Sequence, residues 1–138
     1  MTHLTKDPIE IQYWIDQYKH PEVGAMELFI GFTRNSPEDD GIVSLVYEAY
    51  EEMVLAEAVT LESFIKQRYP LIRDLLIIHR IGEVPVSEPS LLVVLTGSHR
   101  QTLFQAMEEY IDLLKKKLPI WKKGIYRDGH EQWLMNHF

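Results

Sequence analysis

The chain has 138 residues, a formal net charge of −7 from 14 basic and 21 acidic side chains, and an apolar fraction of 46%. This length predicts one domain, residues 1–138, with enough apolar side chains to build a core. The acidic balance argues against a nucleic-acid-binding protein, and the lack of cysteine excludes disulfides, thiolate metal sites and cysteine nucleophiles.

The sequence contains no apolar run of the roughly 18–20 residues that a membrane span requires. The first ten residues, MTHLTKDPIE, lack a basic segment followed by an apolar stretch, so we expect no signal peptide. A cytoplasmic protein without membrane contact is therefore the expectation.

The first half of the chain predicts two helices and two strands. Asp7 and Pro8 suit the cap and the first position of a helix that ends near Pro21. The next expected elements are a strand at 26–32, a polar loop at 34–41, a strand at 43–47 and a helix ending near Pro70. The apolar stripe of that second helix comprises Val54, Ala58, Leu61 and Ile65.

The second half predicts two buried strands, a helix and a hairpin. The strands are expected at 75–81 and 91–96, and Ser98 or His99 opens a helix that Pro119 ends. The inner face of this helix comprises Leu103, Met107, Tyr110, Ile111 and Leu114. The sequence DG at 128–129 predicts a hairpin turn between strands at 120–126 and 132–135. The mixed order of helices and strands predicts the α+β class.

The most distinctive segment is 115–127, KKKLPIWKKGIYR, which holds six basic side chains and no acidic one. Cations in the last turn of a helix favour its dipole and often do nothing more, which is the preferred interpretation for most of these lysines. Crowded cations can also lower the pKa of a lysine enough for acid–base chemistry. By patterning alone, Lys115 and Lys122 fit the two interpretations about equally.

Other basic residues occur at element boundaries. His99 and Arg100 follow a predicted strand and open a helix, where backbone N–H groups and a guanidinium can bind phosphate. A helix cap beside a surface arginine is the more common alternative. His79, within an apolar strand, is more typical of a core or interface residue than of a ligand. Arg34 begins a loop, and the scattered histidines show no metal-ligand spacing.

Several motifs occur in a fixed order between residues 8 and 133. They are GA at 24–25, FIGFTR at 29–34, YEAY at 47–50, HRIGE at 79–83, SHR at 98–100, DLLK at 112–115, PIWKK at 119–123 and DG at 128–129. This ordered set resembles the large, catalytic subunit of the molybdopterin synthase family.

The resemblance implies an α/β hammerhead fold, with helices packed on an antiparallel or mixed sheet and a C-terminal hairpin, working as a homodimer within a heterotetramer. It implies a small ubiquitin-like partner whose C-terminal Gly-Gly carries a thiocarboxylate. The implied reaction inserts two sulfurs into a small pterin substrate, cyclic pyranopterin monophosphate (precursor Z), and gives molybdopterin. No cofactor and no metal are implied. The lack of cysteine is consistent with sulfur that arrives on the partner.

The resemblance also assigns residues. Lys115 and Lys122 take the positions of catalytic lysines. The implied substrate-binding set is Arg34, His99, Arg100, Lys115, Lys122 and Lys123. The chain departs from the family at Gly124, where an acidic residue is usual, and at Ser87, where glycine is common.

Two alternatives to a sulfurtransferase stay open. The first is a non-catalytic paralogue that binds the Gly-Gly tail of the small subunit as an interaction module, and Gly124 is its main support. The second is an unrelated phosphate-ester enzyme with the same cationic pocket. The lack of a metal-binding pattern or a recognisable nucleophile in the sequence argues against this second alternative.

Overall fold

The computed structural model describes residues 1–35 and 41–134. Their elements are β1 (Thr2–Thr5), α1 (Ile11–Gln17), β2 (Ala25–Phe32), β3 (Ile42–Ala49), α2 (Glu51–Arg68), β4 (Ile72–Arg80), β5 (Gly82–Pro85), β6 (Pro89–Gly97), α3 (Arg100–Lys117), β7 (Ile120–Tyr126) and β8 (Glu131–Leu134). The predicted α+β class is confirmed. The predicted loop residues 36–40 and strand residue 135 lie outside the described residues.

The described strands form two four-stranded sheets. The first sheet has the order β1-β4-β6-β2, in which β1 is parallel to β4 and the other pairs are antiparallel. The second sheet has the order β5-β3-β7-β8 and is antiparallel throughout. The predicted C-terminal hairpin is confirmed as β7 and β8, with Gly129 at the turn in a left-handed conformation, φ +90°.

The first sheet is covered on both faces because its strands carry apolar side chains in both directions. One face packs on α1 around a small cluster of Ile9, Leu76, Ile78, Leu92 and Val94. The opposite face packs on α2 and α3, and the second sheet adds its own apolar side chains to that larger core. The central strand β6 is buried from residue 90 to residue 97 as a result.

The predicted helix faces are confirmed. All four residues of the α2 stripe are buried. On α3 the buried residues include four of the five predicted ones, and only Ile111 is half-buried. These faces follow from the 3.6-residue period, which places residues three and four apart on one side of a helix.

The start of α1 is predicted wrongly. The helix begins at Ile11 after an N-cap residue, Glu10, and the backbone N–H of Asp7 donates to the hydroxyl of Thr5 instead of Asp7 acting as a cap. Ile9 is buried against the first sheet, which holds this segment out of the helix. The short strands β1 and β5 are absent from the prediction.

The pairing of β2 with β6 gives the first sheet two ends. Ala25 lies opposite Gly97 at one of them, called the Gly97 end. At the other, called the Gly31 end, Gly31 lies opposite Leu91, and Leu91 lies opposite His79. The two ends are about 20 Å apart, given the rise of about 3.3 Å per strand residue.

His79, on β4 at the Gly31 end, is a core residue with 3% of its surface exposed. The pKa of its imidazole is lowered to about 4, mainly by burial; a hydrogen bond with the carbonyl of Arg80 opposes the shift, and the positive charge of Lys122 contributes to it. The His79 side chain is therefore neutral near pH 7.

Ser87, in the turn between β5 and β6, has a left-handed backbone, φ +74°. A side chain in this region costs roughly 1–2 kcal/mol, and glycine avoids most of that cost. Glycine also increases the conformational entropy of the unfolded chain, which offsets part of this gain. Ser87→Gly is therefore expected to raise the free energy of unfolding by about 0.5–1 kcal/mol in urea titrations.

Gly129→Ala is the matched control for this prediction. Its φ is also positive, and a Cβ there would meet nothing within 4 Å among the described residues, so only the backbone conformation is tested. We expect a loss of about 1 kcal/mol. A lower stability for Ser87→Gly would contradict the strain assigned to the turn.

His79 predicts an acid-dependent loss of stability. Because its pKa is about 4 in the folded chain and 6.5 in the reference state, the unfolded chain binds the proton first as the pH falls. Its contribution is complete above about pH 6.5 and is lost as the pH falls toward about 4. Between about pH 7.5 and about pH 5, unfolding titrations of the wild type should lose about 2 kcal/mol more than those of His79→Gln. Equal losses in the two proteins would contradict the buried, neutral histidine.

Candidate functional site

Lys122 is a buried lysine in the middle of β7, with 8% of its surface exposed. Burial alternates along this strand, so Ile120, Lys122 and Gly124 face the core, while Trp121 and Lys123 face the other way. A buried ammonium is costly unless polar groups surround it, and such positions are common at functional sites. The inward orientation is the first indication that Lys122 is more than a surface cation.

The surroundings of Lys122 come from both sheets. Lys122 lies opposite Tyr47 of β3, and the ring of Tyr47 meets the ring of His79 edge to face, with centroids 4.9 Å apart. The charge of Lys122 also acts on His79. These contacts bring Lys122 of the second sheet to the Gly31 end of the first sheet.

The course of α3 places Lys115 at the same end of the first sheet. This helix starts beside the Gly97 end, packs on β2 and β6, and extends for about 27 Å, the length of 18 helical residues. Two residues separate its end from the start of β7, and there the N–H of Tyr50 donates to the carbonyl of Pro119 at 3.1 Å. Lys115, in the last turn, therefore lies at the Gly31 end and is half-buried.

Arg34 lies two residues beyond β2 at the Gly31 end and is exposed. The chain before it is held by two backbone hydrogen bonds, from the N–H of Thr33 to the carbonyl of Glu88 (3.1 Å) and from the N–H of Ser87 to the carbonyl of Thr33 (2.8 Å). Three of the predicted site residues, Arg34, Lys115 and Lys122, thus lie toward the Gly31 end.

His99 and Arg100 lie at the opposite end. His99 is the N-cap residue of α3, with an extended backbone, and Arg100 is the first helical residue. The loop is fixed close to β2, because the N–H of Gly24 donates to the carbonyl of Gly97 and a Cβ on Gly24 would lie 2.6 Å from the carbonyl oxygen of Ser98. Within one chain, His99 and Arg100 are about 20 Å from the Gly31 end, so the predicted substrate-binding set does not form one pocket there.

Lys123 faces away from Lys122. Its ammonium lies 3.3 Å from the carboxylate of Glu131 and 5.7 Å from the ring centroid of Trp133. Both partners are on β8, so these contacts tie the two strands of the C-terminal hairpin together. Lys123 is thus on the opposite face of β7 from the buried lysine.

Arg80 is a charged residue of this region that the prediction did not single out. It is 5% exposed, its guanidinium donates to Glu88 at 2.8 Å, and its Nε has no hydrogen-bond partner among the described residues. Glu88 also accepts the N–H of Thr33 through its backbone. The Arg80–Glu88 pair therefore supports the turn that holds Arg34, and the HRIG motif is the sequence signal for it.

Gly124 occupies a closely packed position two residues beyond Lys122 on the same face. A Cβ there would lie 3.1 Å from Tyr126 Cε2 and 3.4 Å from both Ile42 Cδ1 and Leu134 Cδ1. These apolar and aromatic side chains fill the space next to the backbone. An acidic side chain at 124 would have to displace them.

An open surface pocket of about 420 Å³ adjoins the connection between α3 and β7. Its lining is mostly apolar: Glu48, Ala49, Tyr50, Met53, Pro119 and Trp121. Three of these, Tyr50, Met53 and Trp121, are more than half exposed. Clustered exposed apolar side chains are typical of surfaces that bind other molecules.

The described residues carry neither a membrane-spanning helix nor a metal-binding cluster. No helix of the described chain combines the length and apolar character needed to cross a membrane. Within residues 1–35 and 41–134, no group of three or more His, Asp or Glu side chains is placed to hold a metal ion.

Several curated proteins that are similar to this chain are molybdopterin synthase catalytic subunits. A curated molybdopterin synthase catalytic subunit from Drosophila pseudoobscura pseudoobscura is 40% identical over 130 residues, which cover 94% of this chain and 36% of that protein. Molybdopterin synthase catalytic subunit 1 from Aedes aegypti is 38% identical over 135 residues, covering 96% and 87%. The chain thus spans about a third of the Drosophila protein and most of the Aedes protein.

Solved structures agree with these relatives. Molybdopterin synthase from Staphylococcus aureus has a TM-score of 0.87 at 28% identity, covering 95% of this chain and 94% of that chain. One chain of a complex of subunits 1 and 2 of the molybdopterin-converting factor from Helicobacter pylori has a TM-score of 0.81 at 20% identity, covering 96% and 88%, a likeness of fold. The family model described as MoaE protein matches residues 4–117. The chain therefore belongs to the MoaE protein family.

Proposed function

We propose that this chain is the catalytic subunit of a molybdopterin synthase, which converts precursor Z to molybdopterin with two sulfurs from the thiocarboxylate of a small ubiquitin-like subunit. The observation that carries the proposal is the buried Lys122 beside the neutral His79, at the end of the sheet that also receives Lys115 and Arg34. Membership of the MoaE family supports it.

The cations of the Gly31 end suit this chemistry. The substrate phosphate and the incoming thiocarboxylate are both anions, and fixed cations offset their mutual repulsion in a site that needs no reorganisation. Sulfur replaces oxygen on the pterin side chain, so the departing oxygen needs a proton. Lys115 and Lys122 are the proposed donors, and Arg34 is the proposed phosphate ligand.

The sulfur carrier is proposed to be a separate protein, since the chain has no cysteine of its own. The apolar pocket beside Trp121 supports a protein partner, because exposed aromatic and Met side chains are frequent in interfaces. It adjoins the segment between Lys115 and Lys122. A Gly-Gly tail entering from this side has no side chains to obstruct its path toward the lysines.

We further propose that the complete site uses two copies of the chain. His99 and Arg100 lie about 20 Å from the Gly31 end of the first sheet in one chain, farther than any side chain reaches. In a homodimer, the Gly97 end of one protomer can complete the Gly31 end of its partner. The proposed assembly is this homodimer with one small subunit bound to each protomer, a heterotetramer acting in the cytoplasm.

The function is tested by removing Lys115. Lys115→Ala should lower the rate of molybdopterin formation from precursor Z and thiocarboxylated partner by about 10²- to 10⁴-fold, the usual contribution of a positioned proton donor. Lys116→Ala is the matched control, because Lys116 is exposed on the same helical turn. The control should keep wild-type activity.

The same assay separates the alternatives. Tight binding of the small subunit with no product from the wild-type chain would favour the non-catalytic interaction module. Release of inorganic phosphate without sulfur transfer would favour a phosphate-ester enzyme. Full activity of Lys115→Ala would reject the role assigned to that lysine.

The shared site predicts complementation between two inactive variants. In a heterodimer of Lys115→Ala with the double variant His99→Ala, Arg100→Ala, one of the two sites keeps all of its groups and the other loses both halves. Affinity-purified mixed dimers should therefore show about half of the wild-type activity, while each homodimeric variant is inactive. Inactive mixed dimers would show that each site is built within one chain.

A further inference from the structure

We propose that His79 is the positioning residue of the site, and that the lone pair on its Nε2 accepts a hydrogen bond from the Lys122 ammonium and fixes the direction of that side chain. This inference deepens the proposed function and rests on it for its kinetic consequence. Its structural content, the contact between an imidazole and an ammonium, can be tested without any substrate.

The tautomer of His79 follows from one hydrogen bond. Nδ1 lies 2.7 Å from the backbone carbonyl oxygen of Arg80, and a carbonyl oxygen only accepts, so Nδ1 carries the proton. In a neutral ring, Nε2 is then the unprotonated nitrogen. The Nε2 atom of His79 is therefore a hydrogen-bond acceptor. The ammonium of Lys122 has only donors, so the two groups are complementary.

The ring of His79 is held in place on a second side. Tyr47 packs edge to face against it, at 4.9 Å between centroids and an interplanar angle of 72°. Burial raises the pKa of the Tyr47 phenol, and a hydrogen bond with the side chain of Ser90 opposes this shift. Tyr47, His79 and Ser90 are each no more than 3% exposed, so packing leaves the imidazole little freedom to turn.

Tyr47 also places the lysine beside the ring. Tyr47 and Lys122 are directly opposite on adjacent antiparallel strands, so their Cβ atoms are about 4.5–5.5 Å apart on the same face. One aromatic residue therefore contacts the imidazole and flanks the lysine. The charge of Lys122 acts on His79, which agrees with an ammonium near the ring.

The packing at Gly124 adds a reason for this arrangement in the present chain. Tyr126, Ile42 and Leu134 occupy the space beside Gly124, the position at which the family resemblance implies an acidic side chain. An uncharged acceptor on His79 can orient a lysine without neutralising it. The ammonium then keeps its full charge for the anionic substrates.

The contact is tested by nitrogen NMR of the free protein labelled with ¹⁵N-histidine. Long-range ¹H–¹⁵N spectra should show His79 as the Nδ1–H tautomer near neutral pH. Lys122→Met should shift the Nε2 resonance and leave Nδ1 bonded to the Arg80 carbonyl. Lys123→Met, the neighbouring variant on the outer face, should leave both resonances unchanged. An Nε2–H tautomer, or an Nε2 resonance unmoved by Lys122→Met, would overturn the proposal.

The positioning role is tested by two conservative variants. His79→Asn keeps an amide donor for the Arg80 carbonyl but has no atom at the Nε2 position, while His79→Gln keeps an acceptor there. In the synthase assay, His79→Asn should lower kcat about 10- to 100-fold with little change in KM, and His79→Gln should recover most of that loss. Circular dichroism should show that both variants are folded.

The outcomes separate this inference from the function on which it rests. Equal losses in the two folded variants, or a change in KM alone, would indicate packing rather than positioning and would overturn the role of His79. If the wild-type chain makes no molybdopterin, the proposed function fails, and the NMR experiment still decides whether His79 binds Lys122.

Discussion

The central pairing of β6 with β2 and β4 is the constraint on which the rest of the molecule depends. This strand is buried along nearly its whole length, and its antiparallel registers fix which residues lie at each end of the first sheet. One end carries His79 and the approach to Arg34, and the other carries His99 at the start of α3. Backbone hydrogen bonding within this sheet therefore determines at which end each of these residues lies.

The second constraint is the way the second sheet meets the first. Tyr47, on β3 of the second sheet, packs against His79 of the first sheet. Lys122 lies opposite Tyr47 on the adjacent strand β7 and is therefore close to the same contact. Placing an ammonium in a core position is costly, and an apolar side chain of the same volume would often be more stable there. A lysine kept in this position, beside a histidine that burial holds neutral, is more readily explained by chemistry than by stability.

Local patterns in the sequence predicted the long elements well. The buried stripes of α2 and α3 follow the helical period, and the apolar runs of β4 and β6 mark strands covered on both faces. β1 and β5 were not predicted because each has only four residues and pairs with a strand that is distant in sequence. The start of α1 was missed because a tertiary contact of Ile9 overrides its capping pattern.

The candidate site was only partly accessible to prediction, for a topological reason. Lys115 and Lys122 were singled out from charge crowding and resemblance, and the structure adds the burial of Lys122. His79 was interpreted as a core residue, and its 3% exposure agrees. Its proximity to Lys122 depends on the packing of two sheets, which no local pattern encodes. Motif order carries no distances, so the sequence could not indicate that His99 and Arg100 lie at the opposite end of the first sheet from Arg34 within one chain.

The separation of the two ends also has a consequence for symmetry. Each chain offers one Gly31 end and one Gly97 end, so two chains related by a two-fold axis use every end and leave none unpaired. A head-to-tail chain of protomers would leave one incomplete site at each terminus and could grow without limit. The proposed closed pair is complete in itself, and its activity per chain is therefore expected to fall on dilution below the dissociation constant of the dimer.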